Sequence, residues 1–134
     1  MSNMLEMALR LLLATVLGAA IGFERERFGK VAGIRTHILI TMGAALYNMI
    51  SVYGYEGSAF DVSRIGAGVV AGIGFIGAGV IFRDIRGNGV AGITSASCIW
   101  ISAAIGLAAG AGMYLLSILA TVITVGVLLL PKTR

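Results

Sequence analysis

Charged side chains are few in this sequence, and five of them are placed so that they could form one functional site. Charged residues make up 12% of the 134 residues. The predicted charged cluster consists of Glu24, Arg25, Arg35, Arg83 and Asp84. These residues stand at the ends of apolar segments, where leaving a buried charge without its partner costs about 3–5 kcal/mol. The alternative is that the basic members only anchor the chain at a surface, where ion pairs contribute little.

Arg35 carries the sharpest prediction within this cluster. It falls in the first turn of a predicted helix, where the helix dipole favours an anion over a cation. A carboxylate partner is therefore expected, and Glu24 and Asp84 are the nearest candidates. A separate pair, Glu6 and Arg10, has the i,i+4 spacing of an ordinary contact along one helix.

Polar uncharged residues recur at helical spacing inside two otherwise apolar segments. The predicted intramembrane polar residues are His37, Thr41, Asn48, Thr94, Cys98 and Ser102. Because lipid offers such groups no partner, they are expected to face the interior of a helix bundle. For the second segment, the alternative is that the hydroxyl groups bond back to carbonyls of their own helix.

The same residues do not make an enzyme site. His37 is the only histidine and Cys98 the only cysteine, so neither a nucleophile–base pair nor a cluster of metal ligands can be recognised. We therefore predict no enzyme, no catalytic residue and no cofactor. Mg²⁺ is bound in proteins by sets of oxygen ligands. The sequence identifies no such set, and binding of Mg²⁺ stays an open question.

A glycine-rich apolar stretch runs between Arg64 and Asp84. Three of its glycines have the spacing G-x-G-x-x-G, which in dinucleotide-binding proteins follows a strand and opens a helix. Here they lie inside an uncharged segment about 27 Å long as a helix, close to the hydrocarbon thickness of a bilayer. A transmembrane helix in the middle of a bundle is predicted instead, since small residues let helices approach closely in lipid. The predicted packing glycines are Gly68, Gly72, Gly74, Gly77 and Gly79.

The composition predicts an integral membrane protein. The chain is 58% hydrophobic with a mean hydropathy of +0.98, and a soluble domain would carry about twice its charged fraction. We predict one all-α domain over residues 1–134, a polytopic bundle of five transmembrane helices without a soluble C-terminal domain. The first, third and fourth helices are expected at about residues 4–23, 64–84 and 90–109. The second is expected to end near residue 53 and the fifth near residue 130. The net charge of +4 does not indicate nucleic acid, because the basic residues gather at predicted membrane boundaries.

The basic residues also predict an orientation. With five helices, eight of the ten lysines and arginines fall on one side of the membrane, and only Arg10 and Arg64 fall on the other. The positive-inside rule then places the N-terminus outside and the C-terminus in the cytoplasm.

An internal repeat is the last pattern in the chain. A shift of 59 residues lays Gly18 over Gly77 and the segment Val31–Ile34 over the identical segment Val90–Ile93. Both halves would cross the membrane in the same direction, which predicts a parallel two-helix repeat about an axis along the membrane normal. Gly18 and Gly22 form a G-x-x-x-G motif and are expected to pack against another helix.

Two stretches of the chain resemble the signatures of the MgtC/SapB family. The first combines FERE at 23–26 with KVAGIRTH at 30–37, and the second combines GIGFIGAGVIFRD at 72–84 with VAGITSAS at 90–97 and Trp100. The resemblance implies a bacterial inner-membrane protein tied to survival in low magnesium and, in pathogens, to virulence through growth inside macrophages. It further implies restraint of the F-type ATP synthase. Many members continue into a soluble C-terminal domain, and any function of that domain is in doubt here.

Two functions stay open at this point. The first is a regulatory membrane protein that acts through contacts with membrane partners such as the F-type ATP synthase. The alternative is a small transporter or channel for Mg²⁺ or another ion, which would use the repeat interface and the glycine-rich third helix. The absence of charged residues at mid-membrane depth argues against that alternative. The expected partners are the lipid bilayer and at least one further copy of the chain, as a homodimer or larger homo-oligomer.

Overall fold

The computed structural model describes residues 2–55, 57, 61–83 and 89–131. Its helices are α1 (Ser2–Arg27), α2 (Ile34–Tyr53), α3 (Ser63–Gly79), α4 (Ile93–Gly110) and α5 (Tyr114–Leu128). Two short strands, β1 (Phe82–Arg83) and β2 (Val90–Ala91), pair antiparallel between α3 and α4. The predicted helical fold is therefore confirmed, with a small ribbon that the sequence analysis did not anticipate.

Two of the described helices are long and apolar enough to cross a membrane. They are the 25-residue stretch Asn3–Arg27 in α1 and the 18-residue helix α4. Helices α3 and α5 are also apolar but have only 17 and 15 residues. Five transmembrane helices therefore stay a prediction.

The centre of the bundle is α4, which lies against all four other helices. Nine of its residues are buried, whereas α3 buries only Ile73 and Gly77 among its described residues. The expectation that the glycine-rich helix lies in the middle is thus wrong within a single chain. Most of the surface of α3 faces outward.

Glycines on α1 and α4 explain why α2 packs so closely against both helices. A Cβ atom on Gly22 of α1 would fall 2.5 Å from the Cα atom of Ile34 on α2. A Cβ atom on Gly110 of α4 would fall 2.5 Å from the carbonyl oxygen of Ala45, also on α2. Only a missing side chain permits such approaches, so the predicted packing face of α1 is confirmed.

The ribbon ends α3 earlier than the sequence analysis predicts. The helix stops at Gly79 rather than near Arg83, and the chain turns at Val80 into β1. The return into α4 depends on Gly92, which has a φ of +91°. A Cβ atom on this glycine would collide with the Val80 carbonyl oxygen, so the position excludes other residues on two grounds.

The two halves of the predicted repeat make matching contacts. The position of a Cβ atom on Gly18 lies 2.6 Å from the carbonyl oxygen of His37, and the same position on Gly77 lies 3.7 Å from the carbonyl oxygen of Ala96. Gly18 and Gly77 are superimposed by the 59-residue shift, and so are His37 and Ala96. These equivalent contacts support the repeat.

A local turn outside the membrane-spanning segments begins α3. The Asp61 carboxylate accepts hydrogen bonds from the Ser63 hydroxyl at 2.6 Å and from the Ser63 backbone N–H at 3.0 Å. These two hydrogen bonds hold the pKa of Asp61 below its ordinary value. The helix therefore starts at a turn stabilised by its own residues.

Candidate functional site: charged clusters and a polar interior

Glu24 and Arg25 form a buried ion pair near the end of α1. Their exposed fractions are 6% and 4%. The Arg25 Nη1 atom lies 3.5 Å from Glu24 Oε1, and Nη2 donates to Ser95 Oγ on α4 at 3.1 Å. The Arg25 Nε atom has no partner among the described residues. The pair therefore connects α1 to α4 but leaves the hydrogen bonding of a buried cation incomplete.

The structure does not bring Arg35 to this pair. Arg35 is exposed at the start of α2, so the Glu24 carboxylate contacts Arg25 and not Arg35. The backbone of Arg83 lies in β1, and Asp84 lies outside the described residues. The Glu24–Arg35 pairing is therefore wrong, because Arg25 is the basic residue that points inward. Pairing of Arg35 with Asp84 stays a prediction.

His37 lies at the centre of a polar interior between α2 and α4. The side chain is fully buried, and its Nδ1 atom lies 2.9 Å from Ser102 Oγ. The Ser102 hydroxyl donates to the Cys98 carbonyl oxygen at 2.7 Å. Because a hydroxyl group has one proton, Nδ1 of the neutral imidazole must be the donor to Ser102, and Nε2 is then unprotonated. Nε2 has no partner among the described residues.

Thr41 and Asn48 also lie in this interior and bond to neighbouring helices. The Thr41 hydroxyl donates to the Ala14 carbonyl oxygen on α1 at 2.6 Å. The Asn48 amide donates to the Leu107 carbonyl oxygen on α4 at 2.8 Å. Both side chains thus donate to backbone carbonyls of a neighbouring helix, which serve as acceptors inside the bundle.

On α4 the polar face runs through Ser95 rather than through Thr94. Ser95, Cys98 and Ser102 are buried, whereas Thr94 is exposed. At 3.6 residues per turn, Ser95 lies within about 20° of Ser102 around the helix, but Thr94 lies about 80° away. The prediction of Thr94 followed the i,i+4 spacing back from Ser102 through Cys98. Two such steps rotate about 80° around the helix, so Thr94 lies off the buried face.

A second charged cluster, centred on Arg10, lies at the opposite end of α1. Arg10 is 8% exposed and donates to Glu6 Oε1 at 2.7 Å, to the Gly110 carbonyl oxygen at 3.0 Å, to the Tyr114 hydroxyl at 3.2 Å and to the Tyr53 hydroxyl at 3.3 Å. One guanidinium group thus connects four helices. The i,i+4 spacing of Glu6 and Arg10 predicted only the contact within α1.

The predicted packing glycines of α3 face open space in a single chain. No other part of the described chain lies within 4 Å of a Cβ position built on Gly68, Gly72, Gly74 or Gly79, and Gly77 makes an ordinary contact with Ala96 on α4. Gly68 and Gly72 instead line an apolar groove of about 580 Å³ between α2 and α3, opposite Gly43 and Tyr47.

The chemical groups at these sites are of three kinds: charged, neutral polar and apolar. Among the described residues, no group of three or more His, Cys, Asp or Glu side chains is arranged to hold a metal ion. Cys98 is a free and buried thiol. The described residues therefore offer two charged clusters, a neutral polar interior and an apolar groove.

These features define a helical bundle with two helices that are long and apolar enough to cross a membrane. The sequence model of the MgtC family matches residues 11–133, and the chain belongs to that family.

Several curated relatives match most of this chain. The "Putative magnesium transporter YhiD" of Escherichia coli K12 is 47% identical over 92% of this chain and 59% of its own length. Protein SrpB of Synechococcus elongatus is 41% identical over 90% of this chain and 71% of its own length. Protein MgtC of Salmonella typhimurium LT2 is 43% identical over 86% of this chain and 48% of its own length. The chain thus spans about three fifths of YhiD and half of MgtC. No solved structure matches the chain significantly.

Proposed function

We propose that this chain is a multi-pass protein of the bacterial inner membrane that regulates another membrane protein during adaptation to low magnesium. The candidate partner is the F-type ATP synthase, on the basis of the family resemblance. In this proposal the protein is not an enzyme, it has no cofactor, and it acts by binding a transmembrane helix of its partner. Its N-terminus lies outside and its C-terminus in the cytoplasm.

The groove between α2 and α3 is the observation that carries this proposal. Its volume is about 580 Å³, and its lining side chains are apolar except for Tyr47. Gly43, Gly68 and Gly72 leave the Cβ positions along it open. In lipid, helices associate through close backbone approach at small residues rather than through the hydrophobic effect. A groove with these properties suits a transmembrane helix better than an ion.

The polar interior gives a second reason to favour regulation over ion transport. Thr41 and Asn48 each donate a hydrogen bond to a backbone carbonyl oxygen of a neighbouring helix. Between Arg10 and Glu24, α1 contains no charged residue. Mg²⁺ gives up its water molecules reluctantly and is usually held by carboxylates, so this interior is poorly suited to carry it.

Co-purification with the ATP synthase tests the proposal. Gly72→Leu would fill the groove, and we expect it to reduce the recovered synthase at least several-fold. Gly126→Leu is the matched control, because Gly126 has equal space around its Cβ position and lies on α5, away from the groove. Equal recovery with both variants, or no synthase with the unmodified protein, would overturn the proposal.

Transport of Mg²⁺ is the second candidate, and similarity to the "Putative magnesium transporter YhiD" favours it. The flux of Mg²⁺, H⁺ and phosphate into proteoliposomes distinguishes the two functions. Regulation predicts flux no faster than in empty liposomes. A Mg²⁺ flux that depends on the protein and is lost in Glu24→Gln would establish transport instead.

A further inference from the structure

A second cavity, of about 290 Å³, lies at the basic end of the bundle and has no role in the proposed function. It opens between the end of α1 and the end of α5. Glu24, Arg25 and Lys30 supply its charged wall, and Phe28 with Leu128–Leu130 supplies its apolar wall. A ligand that fills this cavity must therefore combine a charged group with an apolar group.

Arg25 has more hydrogen-bond donors than the charged wall has acceptors for them. Its distance of 3.5 Å to Glu24 is long, because charge-assisted N–H···O bonds are usually about 2.7–2.9 Å. One further donor contacts the neutral Ser95 hydroxyl, and Nε has no partner among the described residues. With 4% of its surface exposed, Arg25 obtains little compensation from water. A buried cation in this condition favours an additional anion.

The net charge of the wall selects the class of anion. Arg25 and Lys30 contribute two positive charges and Glu24 one negative charge, which leaves a net charge of +1. A phosphodiester carries one negative charge and matches it. Lys30 is exposed and can follow a headgroup, since its side chain is a flexible ammonium donor.

We propose that this cavity binds an anionic phospholipid, with the phosphodiester on Arg25 and Lys30 and an acyl chain along Leu128–Leu130. The basic end of a membrane bundle is the place where anionic headgroups concentrate. Inorganic phosphate shares the charged chemistry but would leave the apolar wall uncovered. The site is independent of the α2–α3 groove, so failure of the regulatory proposal leaves it standing.

Native mass spectrometry of the detergent-purified full chain tests this site with phosphatidylglycerol and phosphatidylcholine as probes. We expect phosphatidylglycerol to bind in preference, and Lys30→Gln to weaken it about five-fold, the change that about 1 kcal/mol per basic side chain gives. Arg27→Gln is the matched control, because Arg27 is also exposed but does not line the cavity. Equal losses in the two variants would indicate diffuse charge attraction and overturn the site.

Two further arms identify the source of the phosphate group. Leu129→Ser should weaken phosphatidylglycerol binding, because it removes part of the apolar wall. Inorganic phosphate added in excess should not displace the lipid; displacement would show that the site takes free phosphate and would overturn the lipid proposal.

Arg25→Gln should abolish the preference for phosphatidylglycerol. Lys30 is exposed, so its variant tests the site even if Arg25→Gln fails to fold.

Discussion

At the scale of single residues, burial separates the basic side chains that connect helices from those that are exposed at the surface. Arg10 and Arg25 are buried and connect helices, whereas Arg27, Lys30 and Arg35 are exposed. Sequence alone could not make this division, because all five are basic residues at the ends of apolar segments. The decisive partners come from distant parts of the chain.

Replacing Arg10 by Met should destabilise the bundle by about 3 kcal/mol, because it leaves the Gly110 carbonyl and the Tyr53 and Tyr114 hydroxyls without their shared donor. Unfolding in mixed detergent micelles would measure the loss. Arg64→Met serves as the control, since Arg64 is exposed. A similar loss in both variants would show that charge near the surface, rather than the Arg10 cluster, stabilises the chain.

Replacing Ser102 by Ala should cost about 1–3 kcal/mol, because the buried Nδ1–H group of His37 then loses its acceptor. Ser97→Ala removes an exposed hydroxyl that bonds, among the described residues, to the Ile93 carbonyl oxygen of its own helix. We expect that control to change stability by less than about 0.5 kcal/mol. Equal midpoints of unfolding for the two variants would contradict the assigned role of His37.

At the scale of helices, much of the arrangement follows from patterns in the sequence, and the remainder depends on how helices meet. The polar spacing of α2 predicts its inner face because lipid leaves polar groups only one place to bond. The motif of Gly18 and Gly22 predicts a packing face for the same kind of reason. The end of α3 could not be predicted, because it is set by the ribbon that follows the helix. The inward orientation of Ser95 could not be predicted either, because its partner Arg25 comes from a distant part of the chain.

The starts of α2 and α4 give a matched pair of glycine variants. Gly92→Ala should destabilise the fold by at least about 1–2 kcal/mol, because φ is +91° and the Val80 carbonyl blocks the Cβ atom. The repeat-equivalent Gly33 has a φ of −109°, and the three atoms nearest to its added Cβ atom all belong to the Glu26 side chain, with Oε1 at 2.6 Å. Glu26 Oε1 accepts from the Ile34 backbone N–H at 3.3 Å, so Gly33→Ala should weaken that contact but cost less than Gly92→Ala. Thermal unfolding followed by circular dichroism would compare them, and equal losses would refute this account of the α4 start.

At the scale of the whole molecule, the outward faces of α3 have few contacts with the rest of the described chain. Gly68 and Gly72 lie on the groove, whereas Ala67, Ala71 and Gly74 are exposed elsewhere on the helix. A bundle that needed α3 only for its own stability would bury more than Ile73 and Gly77. Assembly with further chains follows from this exposure as an expectation.

We expect the protein to form at least a homodimer in nanodiscs, where its mass can be measured directly. Gly74→Leu should shift the protein toward monomer, because it blocks close approach on the face away from the groove. Gly126→Leu on α5 should leave the mass unchanged. Unmodified protein that is monomeric in the bilayer would refute the prediction.

Labelling of single cysteines tests the predicted orientation of five transmembrane helices. With Cys98 replaced by Ala, cysteines placed at Lys30 and Glu56 should react from opposite sides of the membrane, Lys30 from the cytoplasm. Lys30 is exposed, and Glu56 lies outside the described residues. Reaction from the same side would eliminate this topology.

The repeat has one consequence for the groove between α2 and α3. Helix α5 lies outside the two-helix repeat. It packs over a cluster that contains Leu17 on α1 and Cys98 on α4. The 59-residue shift relates Leu17 to Ile76 and Cys98 to Leu39, and both Ile76 and Leu39 line the groove. The groove is therefore the pseudosymmetric equivalent of the surface that α5 covers, and we expect a helix to cover it in the same way.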